Sequence, residues 1–472
     1  MKFESKPIKE HEEVPLADDG DLENLVENFR NRAARREGSH SSKGGCYVVC
    51  VGDWSEDYSR DAQLAEIVGL VAAQGDQVVG SETVEQRRPD PATVLRSGKV
   101  KAAAERAVRL SASMLIVDAE LKPSQLRNLE DLSGLPVCDR EGVILNVFLR
   151  HAKTPTARMQ VEIAHLSYLK PLICGLGVEM DQQAGGIMGG RGPGETASEL
   201  LARRLDKRLA ELKKTLQRVQ VAGEAQRRKR DQCKRIALVG YTNAGKTTLM
   251  NNLASTELLA QDMPFVTLDT TVRCLTRHGG DVLLSDTVGF IRRLPNRLLA
   301  SFETTLAELR EATLIVPVVD ASDPEWEMHL ETTHKMLVTL GAEKIPRYYV
   351  FSKADRLTSK ADGLTALPSK EVLDAVSSGH DYQFISNHDK QAIGELKETL
   401  LGRARADFRR TKVYDPYDAP KAMEMVYRSC RVMETDPKPN GLLFSLEAES
   451  YVIDQITATV QTCVHKKQGA EQ

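Results

Sequence analysis

The period of the apolar positions changes several times along the chain, and each change predicts an element. Residues 46–52 (CYVVCVG) form an unbroken apolar run of strand length. Residues 62–73 and 99–110 repeat apolar positions at helical spacing, and 114–119 (MLIVDA) is a second strand-like run. A helix over 123–132 and a short strand at 135–138 complete the pattern. This alternation predicts a small parallel α/β domain over 46–150.

Over 151–232 the pattern turns helical. Met159, Ile163 and Leu166 recur at helical spacing between 156 and 169, and Pro171 is expected to end or kink that helix. A glycine-dense stretch follows, AGGIMGGRGPGET at 184–196. Leu201, Leu205, Leu209, Leu212, Leu216 and Val219 then step by three or four residues, the seam of a long amphipathic helix. Two such helices joined by a loop predict an antiparallel hairpin with a Gly-rich tip. At ~1.5 Å per residue the second arm is about 50 Å long.

The strand–loop–helix rhythm of a nucleotide-binding domain runs over 233–402. A small C-terminal α/β domain is expected over 403–472, from a strand-like VYDP, helices near 419–430 and 453–463, and the apolar run GLLFSLEA. Residues 1–45 form a polar tail expected to be disordered, without the apolar core of a signal peptide. The fold class is therefore α/β: a P-loop domain preceded by a small parallel α/β domain and a long helical hairpin, and followed by a small C-terminal α/β domain.

A length of 472 residues with 41% apolar content suits about three packed domains. The net charge of −3 argues against coating nucleic acid by bulk charge, so any basic surface must be local. The second hairpin arm supplies one. Between 203 and 235 it carries thirteen Lys and Arg against four Asp and Glu, and no aromatic residue on which a base could stack. That asymmetry fits either a solvated face or attraction to RNA phosphates. The eight cysteines share no metal-binding spacing, and Cys46 and Cys50 are expected to be buried reduced thiols. No apolar run reaches the ~18 residues of a membrane span, and a cytoplasmic location is expected.

The chemistry sits in 233–402. A buried strand at 236–239 leads into Gly240, Tyr241, Thr242, Asn243, Ala244, Gly245, Lys246 and Thr247, the spacing G-x-x-x-x-G-K-T, and then a helix. The glycines let successive backbone N–H groups point at phosphates, and the helix N-terminus favours negative charge. Lys246 is expected to reach the β- and γ-phosphate oxygens, and the Thr247 hydroxyl to ligate Mg²⁺. A second element, VLLSDTVGF, places Asp286, Thr287, Val288 and Gly289 directly after an apolar strand. The acid holds Mg²⁺, usually through water, and the glycine N–H can contact the γ-phosphate. Lys246, Asp286 and Gly289 are the candidate catalytic residues.

Phe290 follows, where many GTPases carry a glutamine that orients water. A phenyl ring cannot do this, so either another group orients the water or hydrolysis is slow until a partner completes the site, and the second is the expectation. Between the two motifs lies FVTLDTTVR, in which Thr267, Thr270 and Thr271 each have the right chemistry to reach Mg²⁺. For base recognition, Asp355 can accept two hydrogen bonds from the N1 and N2 edge of guanine, and the Lys353 stem can lie on the base plane. Ser352 stands where an asparagine is usual, a loss expected to weaken nucleotide binding by ~0.5–1.5 kcal/mol per hydrogen bond. Ser386 can add a backbone contact to the base.

At these residues the chain resembles the HflX family of ribosome-associated GTPases. The resemblance rests on GYTNAGKTTL (240–249), FVTLD (265–269), DTVGFIRRLP (286–295) and RGPGET (191–196), supported by QLRNLE (125–130), DREGVILNVF (139–148) and MQVEIAHLSYL (159–169). It implies a GTP- and Mg²⁺-dependent hydrolase that binds the large ribosomal subunit and ribosomal RNA and dissociates or rescues stalled ribosomes. It implies no DNA partner and a monomer off the ribosome. It selects Thr267 as the switch threonine and metal ligand, in a nucleotide-contacting box of Phe265, Val266, Thr267, Leu268 and Asp269. It makes Arg191, Gly192 and Gly194 at the tip, with Arg203, Arg204, Lys207 and Arg208 on the arm, candidate ribosome contacts. A hydrophobic residue at Phe290 belongs to the pattern. The chain departs from it in S-K-A-D for N-K-x-D, in Ser386-Asn387 for S-A, and in Asp269-Thr270-Thr271-Val272-Arg273 for D-P-T-T-R. The first two departures keep an alternative open, an ATP-accepting RNA or ribosome remodelling factor with relaxed base specificity.

Overall fold

The computed structural model describes residues 45–54, 60–184, 197–228, 233–254, 271–275, 282–287, 289–295, 297–298, 309–357, 373–374, 377, 379–417 and 420–468. The polar tail over 1–44 and the tip loop with Arg191, Gly192 and Gly194 lie outside them. The chain divides into two compact units, residues 1–140 and 141–472.

The first unit is a four-stranded parallel sheet of order β2-β1-β3-β4, made by β1 (Cys46–Gly52), β2 (Val78–Glu85), β3 (Met114–Asp118) and β4 (Val137–Asp139). Helices α1 (Arg60–Ala73), α2 (Ser97–Arg109) and α3 (Pro123–Ser133) connect the strands. Strand β1 lies inside the sheet and is buried along nearly its whole length, which is why it reads as an unbroken apolar run. The pattern does not anticipate β2, because VVGSETVE is an edge strand with a half-exposed, mixed sequence. Cys46 and Cys50 are free thiols buried in β1, and burial, reinforced by Asp76, pushes Cys46 up to about 12.

A buried polar knot closes this unit. Arg140 binds Asp118 at 2.7 Å and also pairs with Glu66. Gln63 donates to Asp118 at 2.7 Å, and Trp54 donates to Gln63 at 3.0 Å. Asp118 has no exposed surface, so the guanidinium is what makes its charge tolerable.

The boundary falls at the first residue of α4 (Arg140–His151), and the second unit continues into the hairpin of α5 (Pro155–Ala184) and α6 (Ala197–Arg228). Two cross-hairpin ion pairs, Arg208 to Glu162 and Lys170 to Asp206, each at or below 2.7 Å, fix the antiparallel register. Leu201, Leu205, Leu209, Leu212 and Leu216 form the buried seam, whereas Val219 is 40% exposed and lies beyond it. Pro171 does not end its helix. It forfeits one backbone bond, but Leu166, Tyr168 and Leu169 before it and Ile173 after it are buried, and that packing carries the helix through.

The centre of the unit is a six-stranded sheet of order β10-β9-β8-β5-β7-β6. Its strands are β5 (Lys234–Val239), β6 (Thr271–Cys274), β7 (Val282–Asp286), β8 (Leu314–Asp320), β9 (Tyr349–Ser352) and β10 (Tyr382–Phe384). Only β6 runs antiparallel to its neighbour. Alternate residues feed opposite faces. Ile236, Leu238, Leu314, Val316 and Val350 pack in one core with α7 (Lys246–Ala254) and α9 (Lys390–Ala404). Val319, Tyr349 and Phe351 pack in the other with Trp326 and Leu330 of α8 (Trp326–Thr339).

The C-terminal part is a three-stranded antiparallel sheet of β11 (Phe408–Pro416), β12 (Arg431–Lys438) and β13 (Gly441–Glu449), in the order β11-β13-β12. Helices α10 (Pro420–Ser429) and α11 (Ser450–Gln468) supply Val426, Val452 and Ile456 to its core. Strand β12 is absent from the sequence reading, since RVMETDPK is polar and lies at an exposed edge.

With Trp326 replaced by Phe, Trp54 is the sole remaining tryptophan and reports on the first unit. In that background Arg140→Met strands two carboxylates and should destabilise the unit by ~3–5 kcal/mol in urea unfolding followed by Trp54 fluorescence. A loss under about 1 kcal/mol would mean that the knot does not depend on the arginine.

Candidate nucleotide site

Four loops converge at the carboxyl ends of the parallel strands, the edge where open α/β sheets bind ligands. The loop after β5 is the G-x-x-x-x-G-K-T segment. Its first glycine has φ of +149°, and a Cβ there would lie 2.2 Å from the Val318 carbonyl oxygen, so only glycine fits against β8. Asn243 and Gly245 also adopt positive φ, which curls the loop before α7 begins at Lys246.

Lys246 is buried and folds back along this loop, donating to the carbonyls of Gly240 at 3.0 Å and Tyr241 at 2.7 Å. Burial lowers its pKa to about 8, against the opposing pull of Asp286. A buried ammonium whose hydrogen bonds, among the described residues, go to neutral carbonyls is an electrostatic demand that a phosphate meets. Beside it the Thr247 hydroxyl donates to Asp286 Oδ2 at 2.8 Å. This pairing of a hydroxyl with a carboxylate at the end of β7 offers oxygen donors of the kind Mg²⁺ takes.

The D-x-x-G segment is stitched to the P-loop. The Phe290 N–H donates to Gly240 O at 3.0 Å, and the Thr242 N–H donates to Phe290 O at 2.9 Å. A Cβ on Gly289 would lie 2.8 Å from Thr242 Cγ2 and 3.3 Å from Lys246 Nζ. Glycine is therefore needed for this approach. The phenyl ring of Phe290 is 1% exposed, so it packs in the core and offers nothing to a water molecule.

Two candidate contacts spend their side chains on the scaffold instead. Thr287 donates to Leu238 O at 2.8 Å, and the Tyr241 ring stacks on His329 at 3.7 Å while its hydroxyl accepts from Arg292 N–H at 3.0 Å. Phe265, Val266, Thr267, Leu268 and Asp269, together with Val288, lie outside the described residues.

On the base side, Ser352 has no exposed surface, and its hydroxyl donates to the Ala244 carbonyl at 2.7 Å, with Val319 O at 3.1 Å. The shortened side chain thus retains a tie to the P-loop, a role that was not apparent from the motif. Lys353 adopts positive φ and pairs with Asp320 at 2.7 Å, which holds its stem in place. Asp355 Oδ1 accepts from the Ser386 hydroxyl at 2.7 Å, and that bond lowers its pKa, keeping it an acceptor. Sequence reasoning missed Asp320 as the partner of Lys353 and Asn252, whose side chain donates to Asn387 O at 2.8 Å. Neither belongs to a linear motif.

A mostly parallel sheet whose strand ends bring together a P-loop, a D-x-x-G segment and an acidic base-side loop defines a P-loop nucleotide hydrolase. Family models described as GTP-binding GTPase N-terminal, GTP-binding GTPase Middle Region and 50S ribosome-binding GTPase match residues 61–149, 151–230 and 235–353. GTPase HflX of Gluconacetobacter diazotrophicus is 37% identical over 83% of this chain and 92% of its own length. That of Caldanaerobacter subterraneus is 32% identical over 84% and 94%. The chain belongs to the HflX GTPase family and is a P-loop GTP hydrolase. A GTP-binding protein from Sulfolobus solfataricus, solved in complex with GDP, is 20% identical, covers 76% of this chain and 98% of its own, and superposes with a TM-score of 0.40, too low to bear on the site.

The Lys246 geometry sets a pH dependence. Phosphate favours the charged amine, so binding raises a pKa that begins near 8. Affinity for GDP should be full below that value and fall, by up to about tenfold per pH unit, as pH rises through it. Calorimetric titration between about pH 7.5 and 9 reads this directly, and Lys246→Arg, which keeps its charge, should be flat over the same range. Identical profiles for the two proteins would refute the assignment.

Proposed function

We propose that this protein is a GTP-driven, Mg²⁺-dependent factor that engages the large ribosomal subunit through its basic hairpin and dissociates or rescues stalled ribosomes in the cytoplasm. The observation that carries the reading is the buried Lys246 ammonium beside the Thr247–Asp286 pair. In it, Lys246 leaves the Gly240 and Tyr241 carbonyls for β- and γ-phosphate oxygens, and the Gly289 N–H faces the γ-phosphate. Thr247, Asp286 and Thr267 would hold Mg²⁺, which when bound neutralises charge on the phosphate oxygens. With the Phe290 ring buried, orientation of the attacking water falls to backbone groups or to the partner, and turnover is then expected to rise on the ribosome.

Support for the partner comes from the hairpin and from the family model's description as a 50S ribosome-binding GTPase. On α6, Arg204, Lys207, Lys213, Lys214 and Arg218 are exposed and make no ion pair among the described residues, as a phosphate-tracking surface requires. Arg203 is exposed on the same helix, whereas Arg208 is turned inward to Glu162 and acts as a hairpin clasp rather than a free contact. The second reading, an ATP-accepting remodelling factor, draws on Ser352, whose hydroxyl hydrogen is committed to the P-loop and so cannot read a base.

Lys246→Ala should lower GTP turnover by ~10²–10³-fold, measured as phosphate release with and without large subunits. Joint replacement of Arg204, Lys207, Lys213 and Lys214 by Ala should abolish cosedimentation with large subunits in a non-hydrolysable GTP analogue while leaving turnover of the isolated protein within about twofold. Cosedimentation unchanged by the four replacements would remove the arm from the contact, and a clear preference for ATP in competition binding would favour the second reading.

A further inference from the structure

The base side of the site lacks a carboxamide at position 352, and the fold brings another one to the same place. Asn387 lies just beyond β10, next to Ser386. Its backbone is tied to the P-loop helix by the 2.8 Å bond from Asn252 Nδ2 to its carbonyl. A Cβ built on Gly245 would meet Asn387 Nδ2 at 3.2 Å and Ser352 Oγ at 3.7 Å, so the Asn387 amide and the Ser352 hydroxyl converge on one P-loop residue. The Asn387 Oδ1 atom is buried and has no hydrogen-bond partner among the described residues. Ser352 cannot serve a ligand, because it is fully buried and its single hydroxyl hydrogen is directed at the Ala244 and Val319 carbonyls.

We infer that Asn387 is a specificity-determining residue of the base site, supplying from beyond β10 the amide that β9 no longer carries, with its contact on the O6 and N7 edge of guanine. The inference rests on the reading of Asp355 as the acceptor for N1 and N2. If Asp355 takes that edge, the ribose and phosphates run from the other end of the purine toward Lys246. The O6 and N7 edge then spans the gap between Asp355 and Gly245, where Asn387 stands. Both acceptors of that edge call for a donor, and rotation about the Cβ–Cγ bond presents the amide nitrogen to them. An orphaned buried amide oxygen is what such a group shows before a ligand fixes its orientation.

The test uses the full-length protein and two probes, GDP and inorganic pyrophosphate, the second of which has no base. Asn387→Ala should weaken GDP binding by ~3–10-fold and leave pyrophosphate binding unchanged. Adding Ser352→Asn to Asn387→Ala should restore GDP affinity to within about twofold of the starting protein, because the emptied space then receives an amide from the β9 side. Asp355→Asn tests the reading beneath the inference and should weaken GDP but not pyrophosphate. If Asp355→Asn weakens GDP while Asn387→Ala does not, Asn387 has no part in recognition and the base site stands. Equal loss of GDP and pyrophosphate in Asn387→Ala would make the residue a prop for the P-loop and overturn the inference. If Asp355→Asn has no effect on GDP, the base-site reading itself falls.

Discussion

Burial of one positive charge organises this molecule. Lys246 sits at the first turn of α7, away from water, and among the described residues it donates hydrogen bonds only to the Gly240 and Tyr241 carbonyls. Desolvation lowers its pKa to about 8, still high enough for the ammonium to persist near neutrality. Such a site is poised for an anion and unfavourable without one. The loop geometry around it follows from that demand: Gly240 lets the backbone lie against the Val318 carbonyl, and Asn243 and Gly245 complete the curl.

The neighbouring loops are registered on this one by hydrogen bonds rather than by proximity alone. The segment after β7 pairs with the P-loop through Phe290 and the amide of Thr242, so movement in either must be felt by the other. From the opposite side Ser352 grips Ala244, and Asp320 holds Lys353. Phosphate and base loops are thus tied into one hydrogen-bonded frame, with α7 at its centre. A frame of this kind sets the backbone in advance, so that side chains such as Lys246 turn to a ligand on a prepared loop, which is how binding sites gain affinity from preorganisation.

Charge is distributed unevenly for a chain of −3 overall. The hairpin keeps its leucine seam inside and uses Arg208 and Lys170 to clasp its arms, which leaves Arg204, Lys207, Lys213, Lys214 and Arg218 of α6 exposed. Composition reveals the excess of basic residues, but only packing separates cations that hold the hairpin from those that face solvent. The first unit makes the same point in its interior, where Arg140 is paired with Glu66 and Asp118 and acts as structure.

The sequence by itself determined what depends on neighbours along the chain. The P-loop and D-x-x-G are local backbone devices, so their spacing names them, and the strands and helices flanking them follow from period and length. The seam from Leu201 to Leu216 was legible for the same reason. Tertiary structure decided whatever depends on partners distant in sequence. Edge strands β2 and β12 carry no apolar run because half their surface meets water. Helix α5 survives Pro171 because side chains on both sides of the proline are buried, a gain that no local rule counts. Ser352 reads as a defect in a motif until the fold sets its hydroxyl against Ala244, 108 residues away. Hydrogen-bond satisfaction of a buried polar group is a property of the space around it, and a linear pattern does not contain that space.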